Sequence, residues 1–374
     1  MIKVCHMTSA HNQFDDRIFE KECRSLANNS RYEVFCVSEG YSVDKEGVHL
    51  IGVGEKPHSR VKRMLSFTKE IYKAALKVDA DIYHIHDPEL LGCCKKLKKR
   101  NKIVVFDSHE NYSAQIKEKA YINKYVRNAI SKIYRHWETK ITMKIDAVIF
   151  PAPIDGKHPF EKRCKNLIYL NNYPSLTDVV DKYGNERKTK KTCACYTGGL
   201  SDNRGIVEII KACYLAKVKL ILAGSFESEE FEKKVKSLKE FSIVEFRGQC
   251  NRKQINEILY ESSVGLNVLK NVGQYANLPN LSTKVYEYMT FELPVIINEY
   301  PYGDSLINMY NFGVSVPCNI DNIKDALIQI TANNEIAEKM GSNGRKLILS
   351  KFNWGIEERK LFKLYEKLVN ENQA

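Results

Sequence analysis

Residues 193–206 read "CACYTGGLSDNRGI". A short apolar run ends in two glycines, and a polar turn then opens a helical pattern over 204–216. The stretch reads as strand, tight turn, helix. Gly198 and Gly199 let the backbone turn sharply, and the free N–H groups at the start of the next helix suit an anion. Arg204 stands at that entry and has the planar fork that grips a phosphate. A plain strand-to-helix turn with a surface arginine explains the same residues, because two glycines alone are a weak motif.

The same alternation extends outward in both directions. Downstream strands are expected at "VKLILAGS" (218–225), "IVEFRG" (243–248), "VGLNVL" (264–269), "LPVIINE" (293–299) and "GVSVP" (313–317). Upstream they fall at "IKVCHM" (2–7), "YEVFCVS" (32–38), "VHLIGV" (48–53), "DIYHIHD" (81–87), "KIVVFDSH" (102–109) and "DAVIFP" (146–151). Helical patterns such as 251–261 separate most of them. Strand and helix in alternation imply parallel sheets covered on both faces. Two such series predict an α/β protein of two facing Rossmann-like domains. Apolar patterning fades across 166–192, which sets the expected units at 1–172, 173–354 and a terminal helix within 355–374. Ligands of such sheets bind beyond the carboxyl ends of the strands, so chemistry belongs in those loops.

Composition limits the classes. The 374 residues are 43% hydrophobic and 28% charged, ordinary for a globular chain. No apolar run approaches the roughly 20 residues that span a bilayer. The opening "MIKVCHMTSAHNQ" reads as a first strand rather than a signal peptide. The eleven cysteines have no metal-knuckle spacing, and an odd count in a chain without an export signal points to reduced, buried thiols in the cytosol. Net charge is +12. Residues 1–170 hold 31 Lys+Arg against 21 Asp+Glu, or +10, and the remainder holds 27 against 25, or +2. A basic first half suggests an anionic partner.

Three further segments carry candidate chemistry. In "LPNLSTKVYEYMTFELPVI" (278–296), Ser282 or Thr283 is the expected helix N-cap, and amides near Leu281–Thr283 would be free for an anion. Lys284 adds charge at that end, and Glu287 lies one turn deeper; an i,i+3 salt bridge is the simpler reading. In "VVFDSHENY" (104–112), His109 closes a strand, where an imidazole polarises a substrate near neutral pH or merely holds its loop. His84 and His86 share one strand face, but no further ligand is spaced to complete a metal site. "DAD" (79–81) lies at the wrong end of its strand for metal-nucleotide work, and "KKLKKR" (95–100) closes a helix, where cations suit the dipole. The basic segment 117–144 carries an apolar stripe of Ile122, Tyr125, Val126, Ala129, Ile130, Ile133, Trp137 and Ile141. The stripe is expected to pack on the first domain; the alternative is contact with anionic lipid.

Taken together, the chain resembles a retaining glycosyltransferase of glycosyltransferase family 4, with the GT-B fold, in its bacterial surface-polysaccharide branch. The likeness runs through "DDRIFEKECRSLA" (15–27), "HDPELL" (86–91), "FDSHEN" (106–111), the 196–206 loop and "STKVYEYMTFELPVI" (282–296). The resemblance implies that His109 contacts the donor sugar and that Arg204 and Lys284 neutralise the leaving diphosphate. It implies that Glu287 binds ribose, with Gly198, Gly199, Gly224, Asn280, Leu281, Ser282 and Thr283 completing the donor site. His11, Asp16, Arg17, His86, Asp87 and Glu110 fall on the acceptor side. It implies no metal and no cofactor beyond the nucleotide-sugar co-substrate, expected to be UDP-linked. It also implies a terminal helix that crosses back to the first domain. The sequence departs from the family where Pro279 replaces the first glutamate of the E-x7-E pattern, and where Gly199 replaces an arginine of the phosphate loop. The expected activity is sugar transfer to a lipid-linked or oligosaccharide acceptor in surface polysaccharide synthesis. The protein would be cytoplasmic, peripheral on the inner membrane face, and without a nucleic-acid partner. An epimerase or phosphorylase of the same fold, and a basic membrane- or nucleic-acid-binding module without catalysis, are the alternatives.

Overall fold

A computed structural model describes residues 1–109, 111–118, 123–151, 158–176, 192–272 and 278–373. The chain divides into two compact units, Met1–Asn172 with Trp354–Ala374, and Tyr173–Asn353.

The first unit is built on β1 (Ile2–Met7), β2 (Tyr32–Ser38), β3 (Val43–Lys45), β4 (Val48–Gly52), β5 (Ile82–Ile85), β6 (Ile103–Asp107), β7 (Ala147–Phe150) and β8 (Asn166–Tyr169). They form one sheet in the order β3-β4-β2-β1-β5-β6-β7-β8. Only the β3–β4 pair is antiparallel. β5, β6 and β7 are buried at every residue, which explains their near-continuous apolar sequences. β8 was not anticipated: its residues are only half-buried at the sheet edge, and "NLIY" lies in the stretch read as a fading linker.

The helix Trp354–Gln373 belongs to this unit. Leu361, Leu364, Tyr365 and Leu368 join Val4, Ile18 and Ile82 in one apolar core. Each of those leucines contributes about 1.5–3 kcal/mol through burial. Two polar bonds fix its register: Trp354 Nε1 donates to Ser25 Oγ at 2.7 Å, and the Tyr365 hydroxyl lies 2.7 Å from His84 Nδ1.

The second unit holds β9 (Cys193–Thr197), β10 (Lys219–Ala223), β11 (Val244–Gly248), β12 (Val264–Asn267), β13 (Val295–Asn298) and β14 (Gly313–Val316). They pair in parallel in the order β11-β10-β9-β12-β13-β14. Apolar clusters cover both faces. The fold class expected from alternating strands and helices is therefore present in both units.

One expectation fails. Apart from Ile141, the helix Lys124–Thr142 does not pack its apolar stripe inward. Tyr125, Val126, Ile130 and Ile133 are 83%, 51%, 40% and 69% exposed. The buried positions are Ser131, Glu138, Ile141 and Thr142. Polar bonds hold that face: Ser131 Oγ donates to the Ser113 carbonyl, and Arg163 Nη2 to Glu138 at 2.7 Å. Partners for Ser131 and Glu138 lie far along the chain, so periodicity alone selects the wrong face. Ile122 lies outside the described residues. No described helix is long and apolar enough to cross a membrane.

Candidate active site

In the second unit the cationic groups converge on one turn. β9 ends at Thr197, and Gly198 adopts φ 130°, a conformation that L side chains rarely take. A Cβ added there would lie 3.1 Å from Lys284 Cε and 3.2 Å from its Nζ. A Cβ on Gly199 would meet the Arg204 guanidinium carbon at 3.6 Å. Arg204 closes a 3-10 turn (Asp202–Arg204) that feeds the helix Ile206–Ala216. Gly224 serves this turn indirectly. A Cβ on it would fall 1.8 Å from the Gly198 carbonyl oxygen, so the loop after β10 needs glycine to pack on the loop after β9.

Lys284 approaches from the helix Thr283–Thr290 and is only 8% exposed. Its Nζ sits 4.8 Å over the Tyr196 ring and 3.3 Å from that hydroxyl. Burial and the neighbouring Arg204 lower its pKa to about 7, against the opposing pull of Glu287. A near-neutral pKa beside a fixed guanidinium makes Lys284 a group that takes up a proton when an anion arrives. Ser282 occupies the N-cap with extended backbone, but its side chain makes no capping bond. Asn280 Oδ1 accepts from the Leu281 amide at 3.0 Å and from the Tyr286 hydroxyl. Leu281 is buried. Glu287 is ion-paired with Arg252, which opens the helix after β11. Nothing in sequence spacing links positions 252 and 287; only the β11 and helix geometry brings them together.

In the first unit, β1, β5 and β6 are sheet neighbours, so the loops after them lie side by side. Asp87 is the hub of two of these loops. Its Oδ2 accepts from Thr8 Oγ1 at 2.8 Å, Ser9 N at 2.6 Å and Ala10 N at 3.0 Å, and its Oδ1 lies 3.2 Å from His11 Nδ1. Burial alone would raise the Asp87 pKa; the bonds from His11, Thr8 and Ser9 outweigh it and hold the group below the usual carboxylate range. Burial likewise opposes a charge on His11, but Asp87 raises its pKa.

His109 follows β6 with a side chain 16% exposed. Its Nε2 lies 3.4 Å from Asp107 Oδ2 and 3.3 Å from His86 Nδ1. Its ring centroid is 5.0 Å from that of His11. Asp107 is buried and anionic: burial pushes its pKa up, but Arg17 and His109 drive it well below the usual range. Arg17 donates through Nε and Nη2 to Asp107 Oδ2 at 3.0 and 2.7 Å, and through Nη1 to the Leu170 carbonyl at 3.0 Å. At 5% exposure, Arg17 faces this carboxylate rather than solvent, so its role here is positioning. Asp16 is exposed and pairs with Lys21 at 2.6 Å. His86 is wholly buried beneath His109. Glu110 lies outside the described residues.

Sequence reading did not find His6 and Glu22, which surround His84 and His86. The signal would have been His6 in the parallel strand beside β5, opposite His84 in register. Asp79 and Asp81, in contrast, serve the amino end of the sheet: Asp81 accepts from the Lys3 amide at 2.8 Å, and Asp79 pairs with Lys102 at 2.7 Å.

Comparisons with known proteins agree with this architecture. Residues 20–156 match the model of Glycosyltransferase Family 4, and residues 181–347 that of Glycosyl transferases group 1. An uncharacterized glycosyltransferase of Methanocaldococcus jannaschii is 25% identical over 234 residues. That alignment covers 56% of this chain and 57% of the relative, so the chain matches just over half the length of that protein. Among solved structures, the sucrose-phosphate synthase of Thermosynechococcus elongatus superposes with TM-score 0.73 at 14% identity, covering 99% of this chain and all of that one. A glycosyltransferase from Rickettsia africae gives 0.69 at 14%, covering 98% of each chain. The HepE protein of Anabaena, solved with UDP and glucose, gives 0.67 at 12%, covering 98% of this chain and 100% of that one. At such identities these structures speak for the fold. The chain is therefore similar to glycosyltransferase family 4 in its first unit and to glycosyl transferases group 1 in its second, on the fold of the GT-B transferases.

Proposed function

We propose that the protein transfers a sugar, with retention, from a nucleotide-sugar donor to a saccharide acceptor. The observation that carries this is the convergence of Arg204 and Lys284 on the Gly198–Gly199 turn, beside a helix start. Two cations on a glycine turn suit a diphosphate, which must be held and then stabilised as it leaves. The second unit binds the donor, with Glu287 accepting from the ribose hydroxyls once Arg252 is displaced or shared. The bond from the anomeric carbon to the diphosphate breaks, the acceptor oxygen bonds that carbon on the same face, and the acceptor proton passes to the departing phosphate. Arg204 and Lys284 meet the charge that develops, so no metal is required for the transfer. In the first unit, His109, held by Asp107 and His86, is the imidazole offered to a sugar hydroxyl.

The donor is UDP-linked in this reading, because HepE of the same fold was solved with UDP. The acceptor is a glycan: the depression beside the loop after β1 is lined by Asn12, Gln13, Glu39, Tyr41, Lys56 and Arg63, a set rich in hydrogen-bonding groups suited to hydroxyls. The test is a thermal-shift screen across UDP-, GDP-, ADP- and CMP-sugars, followed by turnover with oligosaccharide acceptors. UDP-sugars raise the melting temperature, and His109→Ala lowers turnover by at least about 100-fold with the fold retained. Full turnover in both His109→Ala and Glu287→Ala would remove the site assignment. NMR of the donor without acceptor separates this reading from epimerisation, which alters the donor by itself.

The acceptor is lipid-linked, in surface polysaccharide synthesis at the cytoplasmic membrane face. The support is the outward apolar face of Lys124–Thr142, flanked by Arg127, Lys132, Arg135 and Lys140. Flotation with anionic vesicles at low salt recovers the wild-type protein, and Tyr125→Ser with Ile133→Ser reduces recovery several-fold. Equal flotation of the double variant sinks the assignment of this face.

A further inference from the structure

We infer that His6, Glu22, His84 and His86 form a closed four-ligand site for one divalent transition-metal ion of zinc-like size. β1 brings His6 opposite His84 of β5, and His86 follows two residues on, so all three imidazoles project from one face of the sheet. Glu22 reaches the same point from the helical segment Ile18–Cys23 that covers that face. All four side chains are fully buried. One donor atom from each lies within 4.8 Å of the other three.

Four of the ligand-atom separations bracket the tetrahedral value. With metal–nitrogen and metal–oxygen bonds of zinc length, the ligand atoms are about 3.4 Å apart. Here Glu22 Oε2 lies 3.8 Å from His6 Nδ1, 3.7 Å from His84 Nδ1 and 3.8 Å from His86 Nε2. His6 Nδ1 and His86 Nε2 are 2.9 Å apart. Without a metal ion, one carboxylate oxygen of the cluster is left unsatisfied. Glu22 Oε2, which faces the three imidazoles, has no hydrogen-bond partner, whereas Glu22 Oε1 lies 3.0 Å from Arg17 Nε. A buried carboxylate oxygen without a hydrogen-bond partner is rare, and one that faces three imidazole nitrogens suits a cation.

The site is structural rather than catalytic, since it offers no open position and no solvent. It would lock β1, β5 and the Ile18–Cys23 segment together. An ion on His86 Nε2 leaves the proton on His86 Nδ1, directed at His109 Nε2 at 3.3 Å. Tyr365 competes for His84 Nδ1 and is a neighbour, not a ligand.

The test is independent of sugar transfer. The full chain is purified, dialysed against metal-free buffer and analysed by plasma mass spectrometry. It is then unfolded and refolded with one equivalent of Zn²⁺ or Co²⁺. The expected results are one zinc per chain, visible d–d absorption of a tetrahedral nitrogen/oxygen site with Co²⁺, and a lower melting temperature after refolding with chelator. Glu22→Gln and His84→Asn lose the metal, while Tyr365→Phe keeps it. Should the variants fail to fold, wild-type stoichiometry and the cobalt spectrum still decide. A wild-type chain that refolds to the same melting temperature with no bound metal overturns the site, as does full stoichiometry in folded His84→Asn; the cluster is then a network of neutral imidazoles around a protonated glutamate.

Discussion

Lys284→Met is expected to lower kcat/KM about 10³- to 10⁵-fold and, in the absence of ligand, to raise the stability of the second unit. The loss has two parts. A charged hydrogen bond to the donor diphosphate is worth about 10- to 100-fold in binding. Removing a group that stabilises charge developing on the leaving oxygens costs a further 10²- to 10³-fold, roughly, in turnover. The gain follows from burial. Lys284 has its pKa lowered from 10.5 to about 7, so the folded state disfavours its charged form. Between those two values the unfolded chain holds a proton that the folded chain does not, so stability rises with pH across that window. Below it the full penalty remains. Methionine fills similar volume without the charge, and a gain of about 1 kcal/mol, or roughly 2–4 °C, is expected. Donor binding to the wild type weakens as pH rises above about 7, because Lys284 must regain its proton, and the variant loses this dependence. Calorimetry of UDP binding between pH 6 and 9 reads proton uptake directly. A pH-independent wild type would contradict the assignment.

Arg17→Met is expected to destabilise the first unit by about 3–5 kcal/mol, because it strands Asp107 as a buried anion. Asp107 is wholly buried and Arg17 is its largest stabilising influence. In the wild type, the depressed Asp107 pKa contributes stability that is present above its unfolded value and lost as pH falls through the folded one. In Arg17→Met that depression shrinks, so acid unfolding begins at higher pH. Arg17→Met with Asp107→Asn recovers much of the loss, since the uncompensated charge is gone. Denaturant titration of the single and double variants checks the sign. If the double variant is no more stable than the single, packing of the Arg17 side chain rather than its charge holds the loop.

The two units were legible in sequence because parallel strands buried on both faces write continuous apolar runs such as "VVF" in β6 and "VIIN" in β13. β8 was not legible, since an edge strand half-open to solvent lacks that run. The cationic cluster of the second unit was visible where its residues are local: Gly198, Gly199 and Arg204 lie within one loop, and Lys284 starts one helix. Three features escaped. Arg252 meets Glu287 only through tertiary packing, His6 and Glu22 meet His84 only through strand register, and the Lys124–Thr142 helix turns its apolar side outward because Ser131 and Glu138 have specific partners. In each case the deciding contact links residues whose separation obeys neither helical nor strand period.

The first unit is discontinuous: its final helix, Trp354–Gln373, follows the whole second unit in the chain. This orders events at the ribosome. Residues 1–172 leave the exit tunnel with Val4, Ile18 and Ile82 lacking the leucines that cover them. The second unit, continuous in sequence, completes its core first. Until translation reaches Leu368, an apolar sheet face stands open to chaperones, and a nascent chain stalled before residue 354 would remain protease-sensitive in its first unit alone.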